Sequence, residues 1–283
     1  MTDIASQNQA AGGRPGRVVV VTAGGENPWI MINAFSAHFA DVAVVEEQPE
    51  SKGLFLRRRA HKLGWLTALG QLATMIASRF GKRFTRKRAD EIFATYRVSG
   101  KPDPSIPVKS IASINDTDAI AQVRALKPDV VFLISCRMLK AETLTAIPCP
   151  VLNFHAGINP AYRGLMGGYW ARANNDLENF GATVHLVDAG VDTGGVLYQS
   201  RQKPTPHDTM HTYPLLQTAA STDIAIAAVG DALAGKLEVI DVAGPSRQWY
   251  HPPIWTWIWN GLKRGIWSAD KPPLTSFRHR LKA

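Results

Sequence analysis

Four consecutive valines, Val18–Val21, are the feature of this sequence that most limits its fold. A β-branched run without polar alternation is typical of a strand buried on both faces, as in a parallel sheet covered by helices. The run leads into a glycine-containing loop, 23–28, and then into an apolar segment, 29–39. This order predicts a strand, a tight loop and a helix at the start of an α/β domain.

The same alternation of strands and helices continues along the chain. Further strands are predicted at 42–46, 108–111, 129–134, 151–155, 181–187 and 196–199. Helices are predicted at 54–80 (as one or two helices), 90–97, 116–125 (capped by Asn115 or Asp116), 140–146, 168–174 and, as one long helix, 211–234. We therefore predict an α/β fold with a mostly parallel sheet flanked by helices.

The positive charge is concentrated in one segment. Lys and Arg number 32 against 23 Asp and Glu, for a net charge of +9, but residues 51–89 hold 11 Lys/Arg and no acid. A near-neutral body with one basic segment is not the pattern of a nucleic-acid binder. We predict a disordered leader (1–16), a catalytic domain (17–235) with a basic helical insert (51–100), and a short Trp-rich appendage (236–283).

The location of the protein is predicted from what the sequence does not contain. Its two cysteines, Cys136 and Cys149, cannot form a disulfide framework or a Cys-rich zinc site. It has no signal-peptide core and no uncharged apolar run of about 18 residues. We expect a soluble cytoplasmic protein.

Three polar side chains indicate a catalytic site. Asn153 and His155 alternate along a predicted strand, so they share a face at its carboxyl end, where open α/β sheets place their sites. Asp192 follows in a Gly-flanked turn. An amide, an imidazole and a carboxylate suit acyl transfer to an amine, because Asn153 and a protonated His155 stabilise an oxyanion and the carboxylate favours the charged imidazole. Each residue alone is more often structural, as is His185 nearby.

Other residues are weaker candidates. Gly24, Gly25 and Asn27 either bind a phosphate at a helix N-terminus or form a plain turn. Next to Tyr162, Arg163 either orients an acceptor anion or pins its own loop by bonding carbonyls. A zinc site built from the histidines and aspartates at 155, 185, 188 and 192 lacks metal-ligand spacing, so we expect no metal.

Three motifs resemble the folate-dependent formyltransferase superfamily: 151–155 (VLNFH), 160–164 (PAYRG) and 191–195 (VDTGG). The resemblance implies a Rossmann-like domain that uses 10-formyltetrahydrofolate, without a nicotinamide cofactor, and a catalytic trio of Asn153, His155 and Asp192. It also implies two folate-binding loops. These loops comprise Arg137, Met138 and Leu139, and Leu186, Val187, Asp188, Ala189, Gly190 and Val191.

The amine acceptor is expected to be an amino-sugar derivative, linked to a nucleotide or a lipid. The C-terminal appendage and the segment 164–170 (GLMGGYW) are closer to the amino-sugar N-formyltransferases than to other members. The methionyl-tRNA branch is disfavoured because the tail is short. Two alternatives remain: a glycinamide-ribonucleotide formyltransferase, and a catalytically silent core that binds a membrane or a partner.

The basic insert and the appendage allow two interpretations. In the first, the insert is a structural cover and the tail mediates a homodimer contact. In the second, both act at an anionic membrane surface on the inner face of the membrane, because tryptophans beside Lys263 and Arg264 suit an interfacial segment. The tail tryptophans are Trp249, Trp255, Trp257, Trp259 and Trp267.

Overall fold

The computed structural model of the protein describes residues 14–267. The predicted leader, 1–16, lies outside the described residues except for 14–16, which already belong to the first strand. That strand therefore begins earlier than the predicted domain boundary, because Arg14 pairs with Phe39 beyond a bulge. Of the predicted appendage, 236–267 is described and 268–283 lies outside.

The seven predicted strands occur in the predicted order along the chain, and the structure adds two strands of two residues each that the sequence does not predict. Together they are β1 (Arg14–Thr22), β2 (Phe39–Glu47), β3 (Val108–Ile111), β4 (Val130–Leu133), β5 (Val151–His155), β6 (Arg163–Gly164), β7 (Gly181–Leu186), β8 (Val196–Arg201) and β9 (Gln248–Trp249). Within the described residues, seven of them form one sheet in the order β3-β2-β1-β4-β5-β7-β8, and β6 pairs with β9. From β3 to β5, each strand is parallel to its neighbour. The two remaining pairs, β5 with β7 and β7 with β8, are antiparallel. The sheet is mostly parallel, as predicted.

The helices lie on both sides of this sheet. They are α1 (Glu26–His38), α2 (Lys52–Leu63), α3 (Trp65–Lys82), α4 (Arg86–Tyr96), α5 (Thr117–Ala125), α6 (Ala141–Ala146), α7 (Gly167–Ala173), α8 (Tyr213–Ala219), α9 (Thr222–Leu233) and α10 (Ile254–Arg264). Two short 3-10 turns, Arg83–Thr85 and Leu177–Asn179, accompany them.

The valine run occupies the position that its composition predicts. Val18 and Val20 pack in one cluster with Phe35 of α1 and Val229 of α9. Val19 and Val21 pack in a second cluster on the opposite face, with residues of α5. All four valines have no exposed surface. Burial on both faces explains why the strand contains no polar alternation.

The single long helix predicted at 211–234 is wrong, because the structure has two helices, α8 and α9. Ser221 separates them with non-helical backbone, and its hydroxyl accepts a bond from Gln202 Nε2 at 3.0 Å. A tertiary contact therefore coincides with the break between the two helices. The insert segment predicted as one or two helices forms two, α2 and α3. They are divided at Gly64, whose φ of 83° suits glycine. At the start of α5, Asp116 is the N-cap residue but makes no side-chain cap bond.

The insert and the appendage contribute to one core cluster. Ile92 of α4, Trp249 of β9 and Ile266 after α10 pack with Tyr169 and Tyr213. A bidentate ion pair also fastens α4, since Arg88 Nε and Nη2 each lie 2.9 Å from an oxygen of Asp208. Both segments are therefore packed on the sheet domain. No helix within residues 14–267 is long and apolar enough to cross a membrane.

Candidate active site

Strand β5 places Asn153 and His155 on one face at the carboxyl end of the parallel part of the sheet. The antiparallel partner β7 sets His185 directly opposite Asn153. Directly paired residues of neighbouring strands share a face, and Asn153 Nδ2 lies 3.0 Å from His185 Nε2. The sheet register therefore brings an amide and two imidazoles together.

Asp192 reaches these side chains from the loop between β7 and β8. Its backbone is left-handed, with a φ of 49°, and two bonds hold the loop in place. Asn159 Nδ2 donates to the Asp192 carbonyl at 3.1 Å, and Arg163 Nη1 donates to the Val191 carbonyl at 2.8 Å. At Gly194 a Cβ would lie 1.8 Å from the Leu186 carbonyl oxygen, so this close return of the loop requires glycine.

The Asp192 carboxylate is the centre of the polar cluster. Oδ1 lies 3.3 Å from both Asn153 Nδ2 and His185 Nε2. Oδ2 lies 3.4 Å from His155 Nδ1 and accepts a bond from the Gly164 backbone N–H at 2.8 Å. The structure thus brings all three residues of the predicted trio into contact.

Both ring nitrogens of His155 face hydrogen-bond acceptors. Nε2 donates to the Tyr162 carbonyl oxygen at 2.6 Å, and Nδ1 faces the Asp192 carboxylate. A carbonyl can only accept, so the doubly protonated imidazolium satisfies this geometry fully. Gly157 makes the arrangement sterically possible, because a Cβ there would lie 2.4 Å from His155 Nε2.

The environment of Asp192 favours its ionised form. Burial on its own raises the pKa of this carboxyl. The charge of His155, the bond and charge of His185 and the Gly164 N–H outweigh burial and hold the pKa well below its usual range. Asp192 is therefore a carboxylate at neutral pH.

His185 is the site residue that sequence reasoning undervalued. Its Nδ1 donates to the Leu186 carbonyl at 2.6 Å, which leaves Nε2 to contact Asn153 and Asp192. The side chain is only 3% exposed. The signal that identifies it is the pairing of β5 with β7, which a sequence pattern does not specify.

A cavity of about 470 Å³ opens beside the trio. Arg137, Met138 and Leu139 line one wall, and Val187, Asp188, Gly190 and Val191 line another; Leu186 and Ala189 are not part of its lining. This volume lies in the usual range for a small-molecule site, and Leu133, Leu139 and Val187 supply apolar surface for a flat heterocycle. These residues fit a folate. The guanidinium of Arg137 is held by a bond to Glu47 Oε2 at 3.0 Å.

The residues predicted for the acceptor are divided between two places. Gly24, Gly25 and Asn27 line a neighbouring cavity of about 270 Å³, which shares Ser135 with the first. Tyr162 and Arg163 line neither of these two cavities. The Tyr162 hydroxyl donates to Asp176, and Arg163 pins the 191–192 loop and Ser246, which corresponds to the loop-pinning interpretation of Arg163.

Within residues 14–267, no group of three or more His, Cys, Asp or Glu side chains is placed to hold a metal ion.

Comparison with known proteins identifies the family. The formyl transferase family matches residues 72–224, which is more than half of the chain, and the chain belongs to this family. Its members use 10-formyltetrahydrofolate as the formyl donor. The match begins inside the predicted insert. Membership confirms the family resemblance that the three motifs indicated.

Sequence relatives match only part of the chain. Methionyl-tRNA formyltransferase of Trichlorobacter lovleyi is 32% identical over 108 residues, which cover 38% of this chain and 34% of that protein. The Roseiflexus enzyme of the same name is 36% identical over 113 residues, covering 40% and 34%. The match spans about a third of the length of these relatives.

Solved structures share the fold at low sequence identity. A sugar N-formyltransferase from a Shewanella species superposes with a TM-score of 0.51 at 15% identity, covering 82% of this chain and 76% of that one. Phosphoribosylglycinamide formyltransferase from Anaplasma phagocytophilum superposes with a TM-score of 0.53 at 19% identity, covering 81% and 92%. These likenesses confirm the predicted α/β fold.

Proposed function

We propose that this protein transfers the formyl group of 10-formyltetrahydrofolate to a primary amine. The observation that carries the proposal is the contact of Asn153, His155 and Asp192 at the edge of the cavity that both predicted folate loops line. Bound there, the folate supplies a formyl carbonyl, whose oxygen gains negative charge when an amine adds to its carbon.

Asn153 and His155 would stabilise that charge. Both side chains present N–H groups, and hydrogen-bond donors aimed at a developing oxyanion lower the barrier by several kcal/mol, about 3–4 for a single donor. In the present arrangement Asn153 Nδ2 lies within 3.3 Å of both Asp192 Oδ1 and His185 Nε2, and His155 Nε2 donates to the Tyr162 carbonyl. To donate to the oxyanion, Asn153 or His155 therefore has to give up one of these present contacts during turnover.

Asp192 would position His155 rather than act as a strong base. Its low pKa makes it a weak proton acceptor at neutral pH. The carboxylate also fixes the positions of both donors, since it contacts the two of them. The proton lost by the attacking amine would then pass to water or transiently to this carboxylate. The bond between the formyl carbon and the folate nitrogen would break in turn, and that nitrogen would take up a proton as tetrahydrofolate leaves.

The acceptor would enter from the side of the basic insert. Thr85, Arg86 and Ala89 line the cavity that holds Gly24 and Gly25. Arg86 Nη1 lies 2.9 Å from Glu26 Oε1, which offsets the acid at the start of α1. With this acid paired, the backbone N–H groups at the start of α1 support an anionic acceptor at the helix N-terminus.

A large acceptor is supported by a further adjoining cavity of about 430 Å³. It shares Thr85 and His211 with the previous cavity and is lined by Phe84, Trp257 and Trp267. An amino sugar attached to a nucleotide or a lipid would fill both spaces. We therefore propose an amino-sugar derivative as the acceptor, with glycinamide ribonucleotide as the alternative that fills only the smaller cavity.

The cell location and the partners are part of the same proposal. We place the protein in the cytoplasm, peripherally at the inner face of the membrane, with a small-molecule acceptor rather than a nucleic acid. The alternative role of the tryptophan tail is a homodimer contact.

The test is a panel of amines incubated with 10-formyltetrahydrofolate and the full chain. The panel contains nucleotide-linked and lipid-linked amino sugars, glycinamide ribonucleotide and methionyl-tRNA, and mass spectrometry detects the gain of one formyl group. Formylation of an amino sugar by the wild type but not by His155→Ala supports the proposal. If glycinamide ribonucleotide or methionyl-tRNA is formylated in preference, that compound is the acceptor and the amino-sugar proposal is wrong. A folate titration without binding favours the catalytically silent module.

A further inference from the structure

Two neighbouring helices turn apolar side chains towards solvent. On α3, Trp65, Leu66, Leu69 and Ile76 are 50–74% exposed. On α10, Trp255, Ile258, Trp259 and Leu262 are 42–64% exposed, at the i, i+3, i+4 and i+7 spacing of one helix face. We call these eight side chains the apolar face.

The two stripes form one surface. Helix α10 packs on α3, and a Cβ at Gly70 of α3 would lie 2.5 Å from the Trp255 ring. Trp255 remains 46% exposed, so its ring connects the two stripes. Gly70 is the residue that allows this approach, because any larger side chain there would displace the ring.

The outward orientation of both stripes is fixed by the opposite sides of the helices. Ala68, Gln71 and Thr74 of α3 are buried. On α10, Asn260 is 3% exposed, and its Nδ2 donates to the Tyr169 hydroxyl at 3.1 Å. The helices therefore cannot turn their apolar stripes inward without breaking these contacts.

Exposed positive charges flank the apolar face. Arg57 and Lys62 lie on α2, and Arg79 lies near the end of α3. Lys263 follows the stripe on α10, with its Nζ 5.5 Å from the centre of the Trp259 ring. Residues 51–89 contain no acid to neutralise this rim.

We infer that the apolar face and its basic rim dock on the surface of an anionic lipid bilayer. Tryptophan and leucine on one helix side, with lysine and arginine beside them, are the composition of an interfacial helix. A second copy of this chain is a poorer occupant, because two faces with the same positive rim would repel each other. The inference does not rest on the proposed formyl transfer, since docking is measured without turnover.

The first experiment is sedimentation of the full chain with lipid vesicles. We expect the protein to pellet with vesicles of mixed phosphatidylcholine and phosphatidylglycerol, and to stay in the supernatant with phosphatidylcholine alone. Binding should weaken as salt rises from about 50 to 500 mM, because exposed charges are screened. A protein that stays in the supernatant with anionic vesicles at low salt overturns the inference.

Matched variants then test the surface itself. Leu66→Glu combined with Leu262→Glu changes two exposed positions of the apolar face, and we expect the bound fraction to fall at least about tenfold. Leu177→Glu, at a position 42% exposed and outside both helices, is the control and should bind as the wild type does. Circular dichroism verifies that all variants are folded. Undiminished binding of the double variant overturns the inference, because basic charge alone would then suffice.

Two other results would assign the face to a different occupant. A dimer of the wild type that the double variant converts to a monomer, without vesicle binding, would assign it to a second copy. Vesicle binding that appears only after removal of 268–283 would assign it to that segment of the chain. Either result overturns the inference for the native protein.

Discussion

Asp192 Oδ2 lies 3.4 Å from Nδ1 of His155, while Nε2 of the same ring donates to the Tyr162 carbonyl at 2.6 Å. The imidazole is thus held from two sides, by a carboxylate on the 186–195 loop and by the backbone of the 156–164 loop. Because both loops are fixed to each other through Arg163 and Asn159, the ring orientation depends on their packing. The positions of the predicted catalytic groups therefore rest on a rigid pair of loops.

Removal of any one residue of the trio should abolish most of the activity. We expect Asn153→Ala, His155→Ala and Asp192→Ala each to lower turnover by on the order of two to four decades, because each deletes a donor or the charge that positions it. Initial rates with 10-formyltetrahydrofolate and the acceptor found in the amine panel measure this. Glu142→Gln, an exposed position on α6, is a surface control that should keep full activity. Near-normal turnover of folded His155→Ala would refute the assignment.

Acid stability should depend on Asp192. Its pKa is lower in the folded protein than the ordinary value of 3.8, so folding favours the ionised form. The resulting stabilisation is complete above that ordinary value and is lost as pH falls towards the folded pKa. We expect the melting temperature of the wild type to fall more steeply between about pH 5 and pH 3 than that of Asp192→Asn. Parallel curves for the two proteins would contradict this prediction.

His185 should act as a positioning residue for Asn153. His185→Phe keeps the ring shape but removes the contacts with Leu186 and Asn153, so we expect kcat to fall by about one to two decades. His185 also lines the proposed folate cavity. A raised KM for folate with an unchanged kcat would therefore indicate a role in folate binding instead of a positioning role. Partial rescue of kcat by His185→Gln would separate a positional role from loss of packing. Equal loss in both variants, together with a lowered melting temperature, would indicate a purely structural role.

The sequence predicts the sheet and the trio for identifiable reasons. Val18–Val21 could only be buried on both faces, and the alternation of Asn153 and His155 along one strand fixes their common face. Their partner His185 could not be predicted with the same certainty, because it depends on the register of two antiparallel strands. Cross-strand register is set by tertiary packing, which a local pattern does not contain.

Long-range bonds also explain the errors at the level of elements. The break between α8 and α9 coincides with the bond from Gln202 to Ser221, two residues that are far apart in the sequence. By contrast, the break between α2 and α3 has a local signal, Gly64. The sequence therefore allows either one or two helices in this segment. The mutual packing of Gly70 and Trp255 is likewise visible only in the fold.

The folded protein should lose stability in mild acid through His251. Burial, with a smaller contribution from the charge of Arg59, lowers the pKa of His251 from 6.5 to about 4. Because folding favours the neutral ring, the stabilisation is complete above about pH 6.5 and is lost as pH falls towards 4. We expect the wild type to lose about 1–2 kcal/mol more than His251→Asn between pH 7 and pH 4.5, measured by urea unfolding. His38→Asn, at an exposed position on α1, is the control and should lose as much as the wild type. The same pH dependence in His251→Asn and the wild type would show that this histidine is not the source of the acid sensitivity.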